Sequence, residues 1–143
     1  MKIDRWRSAL VSLAVVALAG CASGGGTSGT APAVVVNDVA SLAGKWTGIL
    51  EVEGSRDRDD LLELTVDPSG TYRATAARTI GALDSQGKIA LVDGKARLEG
   101  ARGGQATGTL YGASTSPDRS LLVNGVLPSG RRFTVRLRPA GAS

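Results

Sequence analysis

The sequence predicts an all-β protein, an antiparallel meander of about eight short strands that closes as a small barrel or folds as a β-sandwich. Apolar and polar residues alternate with period two along most of the chain after residue 41, and no stretch there has helical periodicity. Turn residues recur about every 8–12 positions, a spacing typical of barrels and sandwiches.

The clearest hairpin joins residues 62–66 to residues 71–76. Between them lies the run Asp67-Pro68-Ser69-Gly70. Proline presets φ at the second position of a turn and glycine tolerates the backbone conformation that follows, so this run predicts a tight turn.

The remaining strands follow the same rule. The dipeptide Asp93-Gly94 is a two-residue hairpin signal, and the last strand alternates apolar residues with arginine and threonine, as a strand with one buried face does. A stretch at 79–83 has the weakest strand signal. The other predicted strands span residues 46–53, 88–92, 95–99, 108–111, 120–127 and 131–138.

The N-terminus has the organisation of an export signal. Lys2, Arg5 and Arg7 precede an apolar run over residues 9–19, which is shorter than the roughly 20 residues that a membrane-spanning helix needs. The end of this run and the two residues after it, Leu18-Ala19-Gly20-Cys21, resemble the lipobox of bacterial lipoproteins, and Cys21 is the only cysteine of the chain. The alternative is an ordinary secretory signal with a chance cysteine.

The lipobox resemblance implies cleavage between Gly20 and Cys21 and diacylglycerol attachment to the Cys21 thiol. Acylation of the new amine would follow, and several acyl chains hold a protein on a bilayer almost permanently. Ala22, where an aspartate would favour retention in the inner membrane, implies the outer membrane of a Gram-negative envelope, with the domain facing the periplasm.

Three segments follow from this organisation: residues 1–20 as signal helix and signal peptide, 21–40 as a lipidated Gly/Ser-rich flexible tether, and 41–143 as the β-domain. A tether of this composition reaches about 24 Å. Val34-Val35-Val36 either starts a strand or docks on the domain. The net charge of +4 falls to +2 without residues 1–20, and the basic residues are scattered, which excludes a nucleic-acid partner.

The first strand opens with Gly44-Lys45-Trp46, which resembles the Gly-x-Trp motif of the calycin group of lipocalins, fatty-acid-binding proteins and avidins. The resemblance implies an up-and-down barrel in which Gly44 admits the chain and Trp46 plugs the closed end. It also implies a basic residue near the last strand, Arg136 or Arg138, packed across Trp46. A plain core role for Trp46 is the simpler interpretation.

The composition argues against catalysis. The chain has no histidine and one cysteine, which excludes histidine-dependent nucleophilic triads and His- or Cys-ligated metal sites, so we predict no enzyme, metal or cofactor. One acidic cluster remains beside Arg56 and Arg58. It is either a pair for acid–base chemistry, a calcium site or a solvated hairpin tip, and we predict the solvated tip. Its members are Asp57, Asp59, Asp60 and Glu63.

Three functions fit this sequence. The first is a non-catalytic interaction module of the cell envelope, anchored in the membrane by its lipid and bound to an envelope protein. The alternative is a calycin-like barrel that binds a small molecule or lipid, and a small envelope enzyme is the least supported. An internal ligand site requires a cavity of a few hundred Å³. It is excluded if the interior is filled by Leu62, Leu64, Ile89, Leu91, Phe133 and Val135.

Overall fold

The computed structural model describes residues 31–55, 60–76 and 83–141, and these residues form nine β-strands and one 3₁₀ turn, Val39–Leu42. In chain order the strands are β1 (Ala33–Val34), β2 (Gly44–Val52), β3 (Asp60–Val66), β4 (Thr71–Ala76), β5 (Leu83–Val92), β6 (Lys95–Gly100), β7 (Gln105–Tyr111), β8 (Ser120–Val126) and β9 (Arg132–Pro139).

Strands β2 to β9 form a closed antiparallel barrel. Each strand pairs with the next one along the chain, and β9 returns to pair with β2, where Leu50 lies opposite Val135. The sequence left barrel and sandwich open, and this last ladder selects the barrel, because closure leaves no unpaired edge among the eight strands.

The period-two pattern divides each strand into an inner and an outer face. In β3, Leu62, Leu64 and Val66 are buried, whereas Leu61, Glu63 and Thr65 are exposed. Successive side chains of a strand point to opposite faces of its sheet, so the even positions of β3 face the interior and the odd ones the solvent. In β9 the odd positions Val135 and Leu137 are buried.

The two turns with the strongest sequence signal form as predicted. The Asp67 carboxylate accepts a hydrogen bond from the Ser69 N–H at 2.9 Å, and the Asp67 carbonyl accepts one from the Gly70 N–H at 2.8 Å. Asp93 and Gly94 both have positive φ, 51° and 72°. Two positive φ values define the type I′ turn that suits a two-residue hairpin, and asparagine, aspartate and glycine adopt it most readily.

Strand boundaries differ from the predictions where apolar alternation is weak. β5 begins at Leu83 rather than 88, and β7 begins at Gln105 rather than 108. The added residues are mostly Ser, Gln, Gly, Ala and Thr, which carry little periodic signal, and hydrogen bonding to the neighbouring strands orders them. Of the predicted strand at 79–83, Leu83 starts β5 and residues 79–82 lie outside the described residues.

The end of the predicted tether docks on the barrel. Ala33 and Val34 pair with Tyr111 and Leu110 of β7, and Val36 is buried. The Val36 N–H donates to the Gly94 carbonyl at 2.8 Å. Both alternatives for Val34-Val35-Val36 therefore hold, since this run takes part in a strand and also docks on the barrel. The flexible tether predicted for residues 21–40 consequently extends too far at its C-terminal end. Residues 1–30, with the predicted signal helix, lie outside the described residues.

One end of the barrel is plugged by Trp46 and the 3₁₀ turn before it. Trp46 is 1 % exposed, and its indole N–H donates to the Leu42 carbonyl at 2.8 Å. Gly44, which leads from the turn into β2, has a φ of 124°, a conformation that favours glycine. We call this end the closed end, and the opposite end, with the 101–104 and 127–131 loops, the open end.

Arg119 covers the Trp46 ring, with its guanidinium carbon 4.8 Å from the ring centroid. It also donates to the Ser41 carbonyl at 3.2 Å. The expectation that Arg136 or Arg138 packs across Trp46 is wrong. Both are even positions of β9 and point outward, on the face opposite Val135 and Leu137, so neither reaches a ring inside the barrel.

We expect Arg119→Ala to lower the free energy of unfolding by about 1–2 kcal/mol, because it removes a cation–π contact and a partly buried hydrogen bond. Arg138→Ala is the control, since an exposed outer-wall substitution changes stability by about 0.5 kcal/mol or less. Urea unfolding followed by tryptophan fluorescence measures both. Equal losses in the two variants would contradict the assignment of Arg119 to the closed end.

Candidate functional site

The open half of the barrel contains a cavity of about 190 Å³. Its walls are mostly apolar and come from all eight barrel strands, β2 to β9, together with the 101–104 and 127–131 loops. Six of the lining side chains are Leu50, Leu62, Leu64, Leu98, Leu127 and Phe133.

The cavity follows from where large and small side chains fall along the strands. Ala74 of β4 and Ala106 of β7 face it, and Gly104 lines it as well. These residues leave space that a leucine would occupy. The closed half is filled by larger groups instead, since Trp46, Leu42, Leu110, Leu121 and Leu137 have almost no exposed surface. One narrow barrel therefore has a packed half and a hollow half.

The six residues whose packing would exclude an internal ligand site divide between the open and closed halves of the barrel. Leu62, Leu64 and Phe133 line the cavity rather than fill it. Ile89 and Val135 are buried in the core, and Leu91 packs against the core while half-buried. The interior is consequently not solid, and the condition that would exclude an internal site is not met, but the cavity of about 190 Å³ is smaller than the few hundred Å³ expected for such a site.

The cavity volume limits what fits inside. Sites for drug-sized ligands span about 300–1,000 Å³, whereas an engineered apolar cavity of about 150 Å³ binds benzene. A volume of about 190 Å³ therefore suits one aromatic ring or a short alkyl chain. A long acyl chain or a retinoid does not fit within it.

Polar groups meet the apolar walls at two places. The hydroxyl of Tyr72 is hydrogen-bonded to the Ser85 side chain within the wall. Burial raises the pKa of Tyr72 above its usual value of about 10, and this effect outweighs the lowering by Ser85. Arg102 and Gln105, both exposed, stand at the mouth. A ligand would meet cationic and amide groups on entry and an apolar surface beyond them.

The predicted acidic cluster does not assemble among the residues described. Asp60 is the first residue of β3 and 1 % exposed, so the expectation of a solvated tip is wrong for it. Its even position places it on the inward face with Leu62, whereas Glu63 is exposed on the outer wall opposite Thr47. Asp57 and Asp59 lie outside the described residues. Within residues 31–55, 60–76 and 83–141, no three acidic, cysteine or histidine side chains converge on a metal site.

The predicted lipid-attachment site also lies beyond the described part of the chain. It comprises Gly20 and Cys21, so cleavage and acylation stay predictions from sequence. Among the described residues no helix has both the length and the apolar character to cross a membrane.

Sequence reasoning missed the residues that shape the cavity. Ala74 lies at an inward position of a predicted strand, and Ala106 lies in the part of β7 that precedes the predicted strand. Small residues at inward positions are the sequence signal that indicates such a cavity. Tyr72 falls on the inner face of the best-predicted hairpin. Ser85 and the mouth residue Arg102 lie in stretches without strand periodicity, so no sequence pattern indicates their positions.

The raised pKa of Tyr72 makes stability sensitive to alkali. The stabilisation is complete below the unfolded pKa of about 10 and is lost as the pH rises through the native pKa, because the unfolded chain then releases a proton that the native state holds. We expect a fall in unfolding free energy between about pH 9 and about pH 11. Tyr72→Phe should lose less over this interval than the wild type, whereas Tyr111→Phe should keep the Tyr72 contribution. Urea titrations at the two pH values test this, and an unchanged pH dependence in Tyr72→Phe would contradict it.

Comparison with known proteins adds no assignment to this geometry. No family model, curated protein or solved structure matches the chain significantly.

Proposed function

We propose that this protein is a non-catalytic lipoprotein of the bacterial outer membrane whose barrel binds a small apolar ligand at its open end. The observation that carries the ligand-binding part is the apolar cavity of about 190 Å³, which lies below a polar mouth. The anchoring part rests on the sequence of residues 1–21.

The position of the tether is compatible with access to the cavity. The Gly112 N–H donates to the Pro32 carbonyl at 3.2 Å, so the chain toward Cys21 leaves beside the 112–119 loop. This loop joins β7 to β8 at the closed end. The first described residues of the chain therefore lie at the end of the barrel opposite the open mouth.

The cavity changes the order of the candidate functions. An interaction module predicts a filled core, and only the closed half is filled, so the small-ligand function now comes first and the envelope interaction module second. The enzymatic alternative depended on the acidic cluster, of which Asp60 and Glu63 point to opposite faces of β3. It keeps no support from the residues described.

The ligand function predicts binding limited by size. We expect indole and 1-hexanol to raise the thermal midpoint and retinol not to. A probe at about ten times its Kd stabilises the native state by about 1.4 kcal/mol. Ala74→Leu places three more carbons in the cavity and should abolish the effect. Thr75→Leu, on the outward side of the same strand, should preserve it. Absence of a shift with both small probes, or a full shift in Ala74→Leu, would contradict the proposal.

The anchor predicts a defined covalent state. Protein extracted from bacterial membranes should lack residues 1–20 and carry diacylglycerol and an acylated amine on Cys21, as read by intact-mass and peptide mass spectrometry. Cys21→Ser should keep residues 1–20 and carry no lipid. A wild-type chain that begins at another residue would overturn the lipobox assignment.

A further inference from the structure

We propose that one outer wall of the barrel, formed by β2, β3 and β9, docks on anionic phospholipid head groups. We call this wall the basic face and define it by Lys45, Arg136, Arg138, Ile49 and Leu61. The orientation at the membrane rests on the lipid anchor proposed above, whereas head-group binding by the face does not.

The cations of the basic face have no acidic partner in the strand register. Arg136 lies opposite Ile49 on one side and Leu122 on the other, and Arg138 lies opposite Thr47. Lys45 lies opposite Thr65. Arg136 and Arg138 are two residues apart on the same strand, so their side chains leave the sheet on the same side. Three positive charges therefore share one surface.

The opposite wall of the barrel is also basic in composition but its charges are offset. Lys88 of β5 lies opposite Glu99 of β6. Glu99 also forms an ion pair with Arg97 at 3.2 Å, and Lys95 follows the turn residue Asp93 closely. Cross-strand pairs of opposite charge attract each other and weaken the electrostatic attraction of that surface for an approaching anion. On the basic face Glu63 lies on β3 between Leu61 and Thr65, and Glu51 and Glu53 lie toward the mouth, but no acid lies directly opposite Lys45, Arg136 or Arg138.

An apolar pair stands beside these cations. Ile49 is 48 % exposed and Leu61 54 %, and the two lie directly opposite each other between β2 and β3. Arg136, Ile49 and Leu61 thus form one row across three strands. Apolar side chains next to lysine and arginine suit the interface of a bilayer, where the apolar groups enter the head-group boundary and the cations meet phosphate.

Arg136 is held in place before any partner arrives. Its guanidinium lies 5.5 Å from the centroid of the Tyr111 ring and donates to the Ser120 hydroxyl at 3.3 Å. A side chain already fixed by such contacts loses less conformational entropy when it binds.

The same contact brings the basic face next to the departure of the tether. Tyr111 pairs with Ala33 of β1, and the twelve residues 21–32 connect Ala33 to the N-terminal end at Cys21. The Gly/Ser-rich sequence of residues 21–32 predicts a linker that spans about 20 Å, so the proposed lipid on Cys21 would keep the basic face within reach of the bilayer surface. The charge complementarity and the short predicted linker to Cys21 both favour an anionic membrane over a protein as the binding partner of this face.

Site-specific fluorescence quenching tests the orientation. The lipidated full-length product, whose only native cysteine is blocked by lipid, receives one labelled cysteine at Thr65→Cys beside the basic face or at Ala90→Cys on the opposite wall. In vesicles of phosphatidylethanolamine and phosphatidylglycerol with brominated acyl chains, we expect at least twofold stronger quenching at position 65. Arg136→Gln with Arg138→Gln should remove the difference, and the matched pair Lys88→Gln with Lys95→Gln should retain it.

The outcomes separate this proposal from the anchor. Equal quenching at both positions, or a difference that persists in phosphatidylcholine alone or in the arginine double variant, would overturn head-group docking. A difference that appears only after membrane proteins are added would assign the face to a protein partner and overturn it too. If mass spectrometry finds no lipid on Cys21, the anchor fails, and flotation of the unlipidated protein with anionic and neutral vesicles still tests the face. There we expect about tenfold more binding to anionic vesicles at low salt, and equal binding would overturn the proposal.

Discussion

The hydrogen-bonded ladder between β2 and β9 is the constraint on which the rest of the structure depends. It joins the first and last barrel strands, which are separated by most of the chain, and it turns a meander into a closed wall. Closure gives every inward side chain a shared and narrow interior, so side-chain volume alone decides what that interior becomes. Trp46 and a ring of leucines fill one half, and alanines at positions 74 and 106 leave the other half hollow.

The two ends of the barrel differ because the described N-terminal segment packs against only one of them. At the closed end Trp46 and Arg119 bind the 3₁₀ turn through the backbone carbonyls of Leu42 and Ser41, and β1 pairs with the end of β7. These contacts fix where the chain toward Cys21 departs. The cavity is therefore far from both the plug and the tether, and substitutions at the closed end act on stability while substitutions around Ala74 act on the cavity.

Local sequence patterns predict the turns and hairpins correctly. The incorrect predictions all concern side chains whose positions depend on residues far away in the sequence. The hairpin from 62 to 76 and the Asp93-Gly94 turn depend on adjacent residues, and both were predicted correctly. Arg119 covers Trp46 because a loop between β7 and β8 returns to the plug, which no motif marks. Asp60 was assigned to a loop because its neighbours are charged, yet the ladder with β2 extends to it and turns its side chain inward. The cavity depends on small residues from separate strands, and only the register brings them together.

The same register shows why net charge is a poor guide to the surface of this protein. A charge of about +2 for the chain without its first 20 residues predicts no strong attraction to anions. β9 nevertheless alternates Val135 and Leu137, which pack inside, with Arg136 and Arg138, which stand on the outer face and have Ile49, Leu122 and Thr47 as their register neighbours. On β5 and β6, Lys88 lies opposite Glu99 instead, and Arg97 forms an ion pair with the same glutamate. The period-two alternation that builds the core thus also sorts charge on the outside, because one strand supplies Val135 and Leu137 to the interior and Arg136 and Arg138 to the surface.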